Sequence, residues 1–150
     1  MIGNVNKNRP SVNVCTDNPA ESLLKEILAG LEEEGIPYKL EDMSFTLDNM
    51  VKIAYEASEE SRMGIAIAIK NNRIVLHYNK LKENHPLMDI RLDYNEKNKA
   101  REIGCNAARL YKIMPFKSFE DNGEEDMRNQ VKSAVISVLK DFNLNNLNIS

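Results

Sequence analysis

The run at residues 23–40, LLKEILAGLEEEGIPYKL, restricts the folds open to this chain more than any other stretch. Leu23, Leu24, Ile27, Leu28 and Leu31 recur at helical spacing and form one apolar stripe, which has to be buried against another layer. Gly35 can take the left-handed conformation that closes a helix, and Pro37 cannot continue one. Ile36, Tyr38 and Leu40 then alternate as a strand does. A helix, a hard stop and a strand in such close succession belong to a domain whose helices pack on a sheet.

That helix ends on an electrostatic anomaly. Glu32, Glu33 and Glu34 stand at the negative end of the helix macrodipole, where each carboxylate costs on the order of 0.3–1 kcal/mol at an exposed site. Two readings are open. The triplet is a solvated acidic end, or a cation meets it in a working assembly, either a metal ion or a basic group of another chain.

Around this run the periodicities predict an α/β order. Residues 1–10 read as a polar, Asn-rich arm. A short strand is expected over 11–15, then a turn at Thr16-Asp17-Asn18-Pro19 that supplies N-cap candidates for a helix from about 20 to 34. A strand over 36–40 and a helix over 45–60 follow, which with the first strand implies parallel pairing. In residues 63–78, Ile65, Ile67 and Ile69 alternate with Gly64, Ala66 and Ala68, leaving one face nearly bare for a closely packed helix. Lys70-Asn71-Asn72-Arg73 predicts a hairpin turn with both asparagines at positive φ, setting Ile69 opposite Ile74, Ile67 opposite Leu76 and Ile65 opposite Tyr78. These two strands are expected in the middle of the sheet. A short edge strand near residues 87–92, a third helix over 96–113 ended by Met114-Pro115-Phe116, and a fourth over 127–142 complete the order. The main domain is therefore bounded at 11–117, with a linker and amphipathic helix over 118–150.

Composition narrows the function. A chain of 150 residues with 42% hydrophobic and 29% charged side chains can bury one substantial core. The net charge of −3 disfavours nucleic-acid and anionic-membrane surfaces, which require a basic face. No apolar run is long enough to span a bilayer, and the opening MIGNVNKNR lacks a signal-peptide core, so a reducing cytosolic setting is expected.

Sites of chemistry are poorly supported. His77 and His85 lack paired metal-ligand spacing, and Cys15 and Cys105 are far apart. His77 reads as a packed strand residue facing Ala66. Neither cysteine has a basic neighbour in sequence, and no serine sits in a Gly-x-Ser-x-Gly turn. The turn TDNPAE lacks glycine and carries Asp17, which repels phosphate at that helix start. Asn106 and Arg109 share a face of the third helix, either solvated or in contact with a partner.

Three segments in order, LLKEILAGLEEEGIPYKL, MGIAIAIKNNRIVLHYNKL and IGCNAARLYKIMPF, resemble the small subunit of glycerol/diol dehydratase reactivating factors over residues 11–117. Two departures stand out: Cys105 occupies a position where the family pattern leads one to expect Asn, and residues beyond 118 lie outside the resemblance. The resemblance implies a single three-layer-like α/β domain, with a mixed central sheet flanked by helices. That fold is like the dehydratase medium subunit and class II synthetase anticodon-binding domains. It implies a non-catalytic subunit that pairs with an ATP-hydrolysing reactivase large subunit. By exchanging with the medium subunit against the dehydratase large subunit, such a chain lets damaged cobalamin leave an adenosylcobalamin-dependent dehydratase. It further implies that Glu33 contributes to a divalent-metal site on the large subunit; Glu32, Glu34, Asn106 and Arg109 are then expected at the interface around it. Mg2+ and ATP/ADP then belong to the complex, with no cofactor in this chain alone. Cytoplasmic or microcompartment residence, self-association of the isolated chain, and glycerol or propanediol as the system's substrate stay open. The alternatives are a dehydratase medium subunit itself, or an RNA-binding module that the acidic balance disfavours.

Overall fold

In the computed structural model, residues 9–113 are described. Eight elements follow in order: β1 (Val12–Pro19), α1 (Glu21–Glu33), β2 (Tyr38–Asp42), α2 (Met50–Glu60), β3 (Ile65–Asn71), β4 (Arg73–Tyr78), β5 (Met88–Arg91) and α3 (Lys97–Ile113). The five strands form one mixed sheet in the order β2-β1-β3-β4-β5. β1 pairs parallel with β2 and β3, while β4 pairs antiparallel with β3 and β5. β3 is therefore central, β4 is interior and β5 is an edge, as the alternation of their residues predicts.

The two faces of β3 explain the layering. Ile65, Ile67 and Ile69 share one buried cluster with Leu23, Ile27 and Leu31 of α1 and Ile103, Ala107 and Leu110 of α3. Ala66 and Ala68 lie in a second cluster with Met50, Ala54 and Ala57 of α2, Val75 and Cys15. Bulky side chains thus meet two helices, and the bare face admits one helix closely. The hairpin register is the expected one, with Ile69 opposite Ile74, Ile67 opposite Leu76 and Ile65 opposite Tyr78.

Several boundaries differ from expectation for local reasons. β1 runs on through the expected turn, because Thr16 and Asp17 remain paired with Ile69 and Lys70 of β3. The register shifts only around Asn18, at φ 49°. No side chain caps α1. Asp17, a cap candidate, instead accepts hydrogen bonds from Lys70 Nζ at 2.6 Å and the Phe45 amide at 3.1 Å. That amide contact helps hold residues 43–49 off the helix, so α2 starts at Met50, after a reciprocal pair in which Thr46 N–H donates to Asn49 Oδ1 and Asn49 N–H donates to Thr46 Oγ1. β2 starts two residues late because Ile36 closes α1 and Pro37 has no N–H to give a ladder. In the hairpin only Asn71 has positive φ, at 53°, so the turn is not the expected symmetric pair. The Asn72 side-chain amide donates to Leu92 O at 2.7 Å, tying the turn to the end of β5. The expected stop at 114–116 and the fourth helix at 127–142 lie outside the described residues.

Candidate partner-binding site

The acidic end of α1 is built by its own backbone. Gly35, at φ 74°, donates its N–H to Glu32 O at 2.9 Å, and Ile36 donates to Leu31 O at 2.9 Å. This is the Schellman arrangement, and its usual hydrophobic contact is present: Ile36 and Leu31 are both buried in one cluster. The stop is therefore rigid, and it fixes where Glu32, Glu33 and Glu34 emerge.

α3 lies directly against this end because two helix glycines face each other. A Cβ at Gly30 would collide with Arg101 O and stand 2.8 Å from Cys105 N; one at Gly104 would collide with Ile27 O and stand 3.1 Å from Leu31 N. With backbones this close, side chains of α3 flank the acidic end. Glu34 accepts a hydrogen bond from Lys112 Nζ at 2.7 Å and lies 3.5 Å from Arg109 Nη2. The Lys112 contact, foremost, holds the Glu34 carboxyl below the ordinary carboxylate range. Glu32 accepts the Tyr38 hydroxyl at 3.0 Å. Glu33 is tied most loosely: its Oε1 is 3.5 Å from Arg101 Nε and accepts a weak bond from Cys105 Sγ at 3.5 Å. Arg101 directs Nη1 to Glu26 at 3.1 Å instead.

The anomaly seen in the sequence thus splits. The cation opposite Glu34 comes from this chain's own α3, which corrects the idea that the whole triplet waits on a neighbour. The Glu33 side chain is 56% exposed against 20% for Glu34, so it is the carboxylate left available at the helix end. Asn106 and Arg109 also part: Asn106 is buried, while the Arg109 side chain is 57% exposed. Lys112, Arg101 and the two glycines were not singled out from sequence. Their signal was present, as basic residues recurring along α3 and a glycine inside each helix, yet it becomes meaningful only once α1 and α3 are known to be neighbours.

As a metal ligand Glu33 is a hard oxygen donor, suited to Mg2+. Among the described residues no three His, Cys, Asp or Glu side chains cluster as a metal site, so a cation at Glu33 requires further donors from another molecule. The other reactive side chains are engaged in the fold. Burial, with Glu41 and Glu60 nearby, pushes the Cys15 thiol up to about 11, the opposite of an activated nucleophile. His77 is fully buried, receives the Tyr78 N–H on Nδ1 at 2.9 Å, and therefore presents an Nε2–H to Glu83 O at 2.9 Å.

Comparisons with known proteins place the chain in a family and a fold. The family model described as Dehydratase medium subunit matches residues 9–117. The diol dehydratase-reactivating factor small subunit of Klebsiella michiganensis is 32% identical over 124 residues, covering 81% of this chain and 97% of the relative. The propanediol dehydratase-reactivating factor small subunit of Salmonella typhimurium is 33% identical over 112 residues, covering 75% and 94%. Among solved structures, a diol dehydratase-reactivating factor complexed with ADP and Mg2+ contains a chain that is 31% identical, with a TM-score of 0.63, covering 73% of this chain and 99% of that one.

Proposed function

This chain belongs to the dehydratase medium-subunit family and, within it, to the small subunits of dehydratase-reactivating factors, and from that membership we propose that it is the non-catalytic subunit of such a factor. The observation that carries the reading is the nearly full-length correspondence to small subunits bearing that name. In this reading it joins an ATP-hydrolysing large subunit, and together they release damaged cobalamin from an inactivated adenosylcobalamin-dependent glycerol or diol dehydratase. A reactivase subunit whose family model is the dehydratase medium subunit supports exchange between the two. Chains of one fold compete for one surface, and the nucleotide state of the large subunit sets which occupant is favoured, by binding one state more tightly than the other.

Glu33 supplies this chain's part of the contact. Its carboxylate would be the group by which this chain holds Mg2+, an ion that would supply charge neutralisation at the contact. The Schellman stop holds the Glu33 backbone rigid, while Lys112 and Arg109 neutralise Glu34 so that it does not repel the approaching surface. Glu32 and Arg109 border the same contact, whereas Asn106 is buried within the fold.

Calorimetric titration of the large subunit with the Glu33→Gln chain should show affinity lowered at least tenfold, a change of about 1.4 kcal/mol, with the thermal transition of the free chain unchanged. Equal affinity would remove Glu33 from the contact and leave the reactivase reading standing. A chain that ignores the reactivase large subunit and co-elutes with a dehydratase large subunit alone would instead make it a dehydratase medium subunit, the second reading that the family model favours.

A further inference from the structure

One edge of the sheet is bare. β2 is the terminal strand beside β1, and among the described residues no strand pairs with its outer side. The ladder with β1 tells which backbone groups face out. Val12 N–H donates to Pro37 O at 3.0 Å, and Met43 N–H donates to Thr16 O at 2.9 Å. Alternate residues of a parallel strand serve one neighbour, so Pro37, Lys39, Glu41 and Met43 serve β1. The N–H and C=O groups of Tyr38, Leu40 and Asp42 therefore point away from the sheet, as an unused pairing surface.

Alternation sorts the side chains as well. Asn13 and Cys15 lie toward α2: Asn13 donates to Ala57 O at 2.9 Å, and Cys15 packs in the α2 cluster. Lys39 and Glu41, in register with them, share that face. Leu40, in register with buried Val14, lies on the α1 face and is 48% exposed. Open edges are usually blunted by unpaired charge or proline. β2 carries instead one cation and one carboxylate, both exposed, on either side of an exposed leucine.

That arrangement is complementary to itself. Let two β2 strands run antiparallel about a two-fold axis at Leu40, so that Leu40 faces its own copy. Lys39 then lies opposite Glu41 of the other copy, twice by symmetry, in the closely spaced non-hydrogen-bonded pairs. The outward groups of Tyr38, Leu40 and Asp42 meet those of Asp42, Leu40 and Tyr38 as hydrogen-bonded pairs. Moving the axis to Lys39 or to Glu41 keeps the backbone in phase but opposes Lys39 to Lys39 or Glu41 to Glu41. Charge thus selects one register. The other edge offers no such match, because Asp89 of β5 is held by Arg73 of its own chain in two bonds of 2.8 Å each.

We propose that two copies of this chain join by antiparallel pairing of β2 with β2, centred on Leu40, into one sheet continuous across the dimer. The pairing belongs to the chain by itself and is independent of the reactivase reading.

Sedimentation of the full chain over a dilution series tests it. The chain should pass from dimer to monomer between about 100 μM and about 0.1 μM, the range of a modest interface. Lys39→Glu and Glu41→Lys, each at an exposed position, should raise the dissociation constant at least tenfold, since each sets like charges opposite one another twice. Mixing the two variants should restore a dimer, because each presents the charge that the other lacks. A monomer at every concentration overturns the proposal. So does a dimer that the single changes leave intact, or one that mixing does not recover. Should either variant fail to fold, hydrogen exchange of the unaltered chain decides: the Leu40 and Asp42 amides should be protected when concentrated and quicken on dilution, and equal rates overturn the pairing. No large subunit enters these measurements, so their failure leaves the reactivase reading standing.

Discussion

At the end of α1 the carboxylates of Glu33 and Glu34 are neighbours in sequence, yet one is held by Lys112 and the other faces mainly solvent. The pH dependence of folding should follow the held one. The Glu34 carboxyl sits below its ordinary range in the folded chain, so its contribution is present above the unfolded value and is lost as pH falls through the depressed folded value. Asp17, lowered chiefly by the hydrogen bond from Lys70, behaves in the same sense. Lys112→Ala should therefore lower the urea midpoint at neutral pH and leave it nearly unchanged once the carboxylates are protonated, a difference that paired denaturation curves will read. The thiols make a second test at this scale. Cys15 is pushed to about 11 by burial, and Cys105 is raised by burial and then by its contact with Glu33. Both should react with a thiol reagent at neutral pH only as fast as the chain opens. Rapid labelling of the native protein would contradict the burial of these groups.

Between elements, the decisive contact is that of α1 with α3. Alanine in place of a helix glycine gains roughly 1 kcal/mol in propensity. At Gly104 that gain is opposed by a Cβ driven into Ile27 O, part of a backbone that cannot move aside as a flexible side chain would. Overpacking costs about 1–3 kcal/mol or more, so Gly104→Ala should destabilise the chain despite the better propensity, as chemical denaturation will show. If the acidic end is the proposed large-subunit contact, Gly104→Ala should also weaken that binding beyond the stability loss, because Arg101, Arg109 and Lys112 would shift relative to it. Gly35 is the complementary case. A Cβ there meets nothing within 4 Å, so Gly35→Ala pays only for its φ of 74°, about 1–2 kcal/mol. A Gly35→Asn chain should lose less, since Asn tolerates the left-handed region better.

For the molecule as a whole, the sheet has one dense centre. Ile67 is fully buried on the central strand between Val14 and Leu76, so Ile67→Ala should cost about 2–5 kcal/mol, measurable as a lowered denaturation midpoint. The alternation of Ile with Ala and Gly made β3, its hairpin partner and their register readable in advance, because side-chain period and turn length leave few other pairings. The Gly-Ile-Pro stop of α1 was readable for the same local reason. The boundaries that shifted did so where distant groups compete for backbone bonds: Thr16 and Asp17 stay in β1 because β3 offers partners, and Phe45 is held by Asp17 outside α2. In the site, the acidic triplet was visible from charge and helix polarity, which act within one turn. The different environments of its members were not. Sequence alone settled the order and kind of the eight described elements, how the hairpin registers and which helix end is anomalous, since propensity, periodicity and the helix dipole are short-range. Only the tertiary structure decided that α3 answers Glu34, that Asn106 is buried and that Glu33 is left available, because those depend on two glycines bringing helices far apart in sequence into backbone contact.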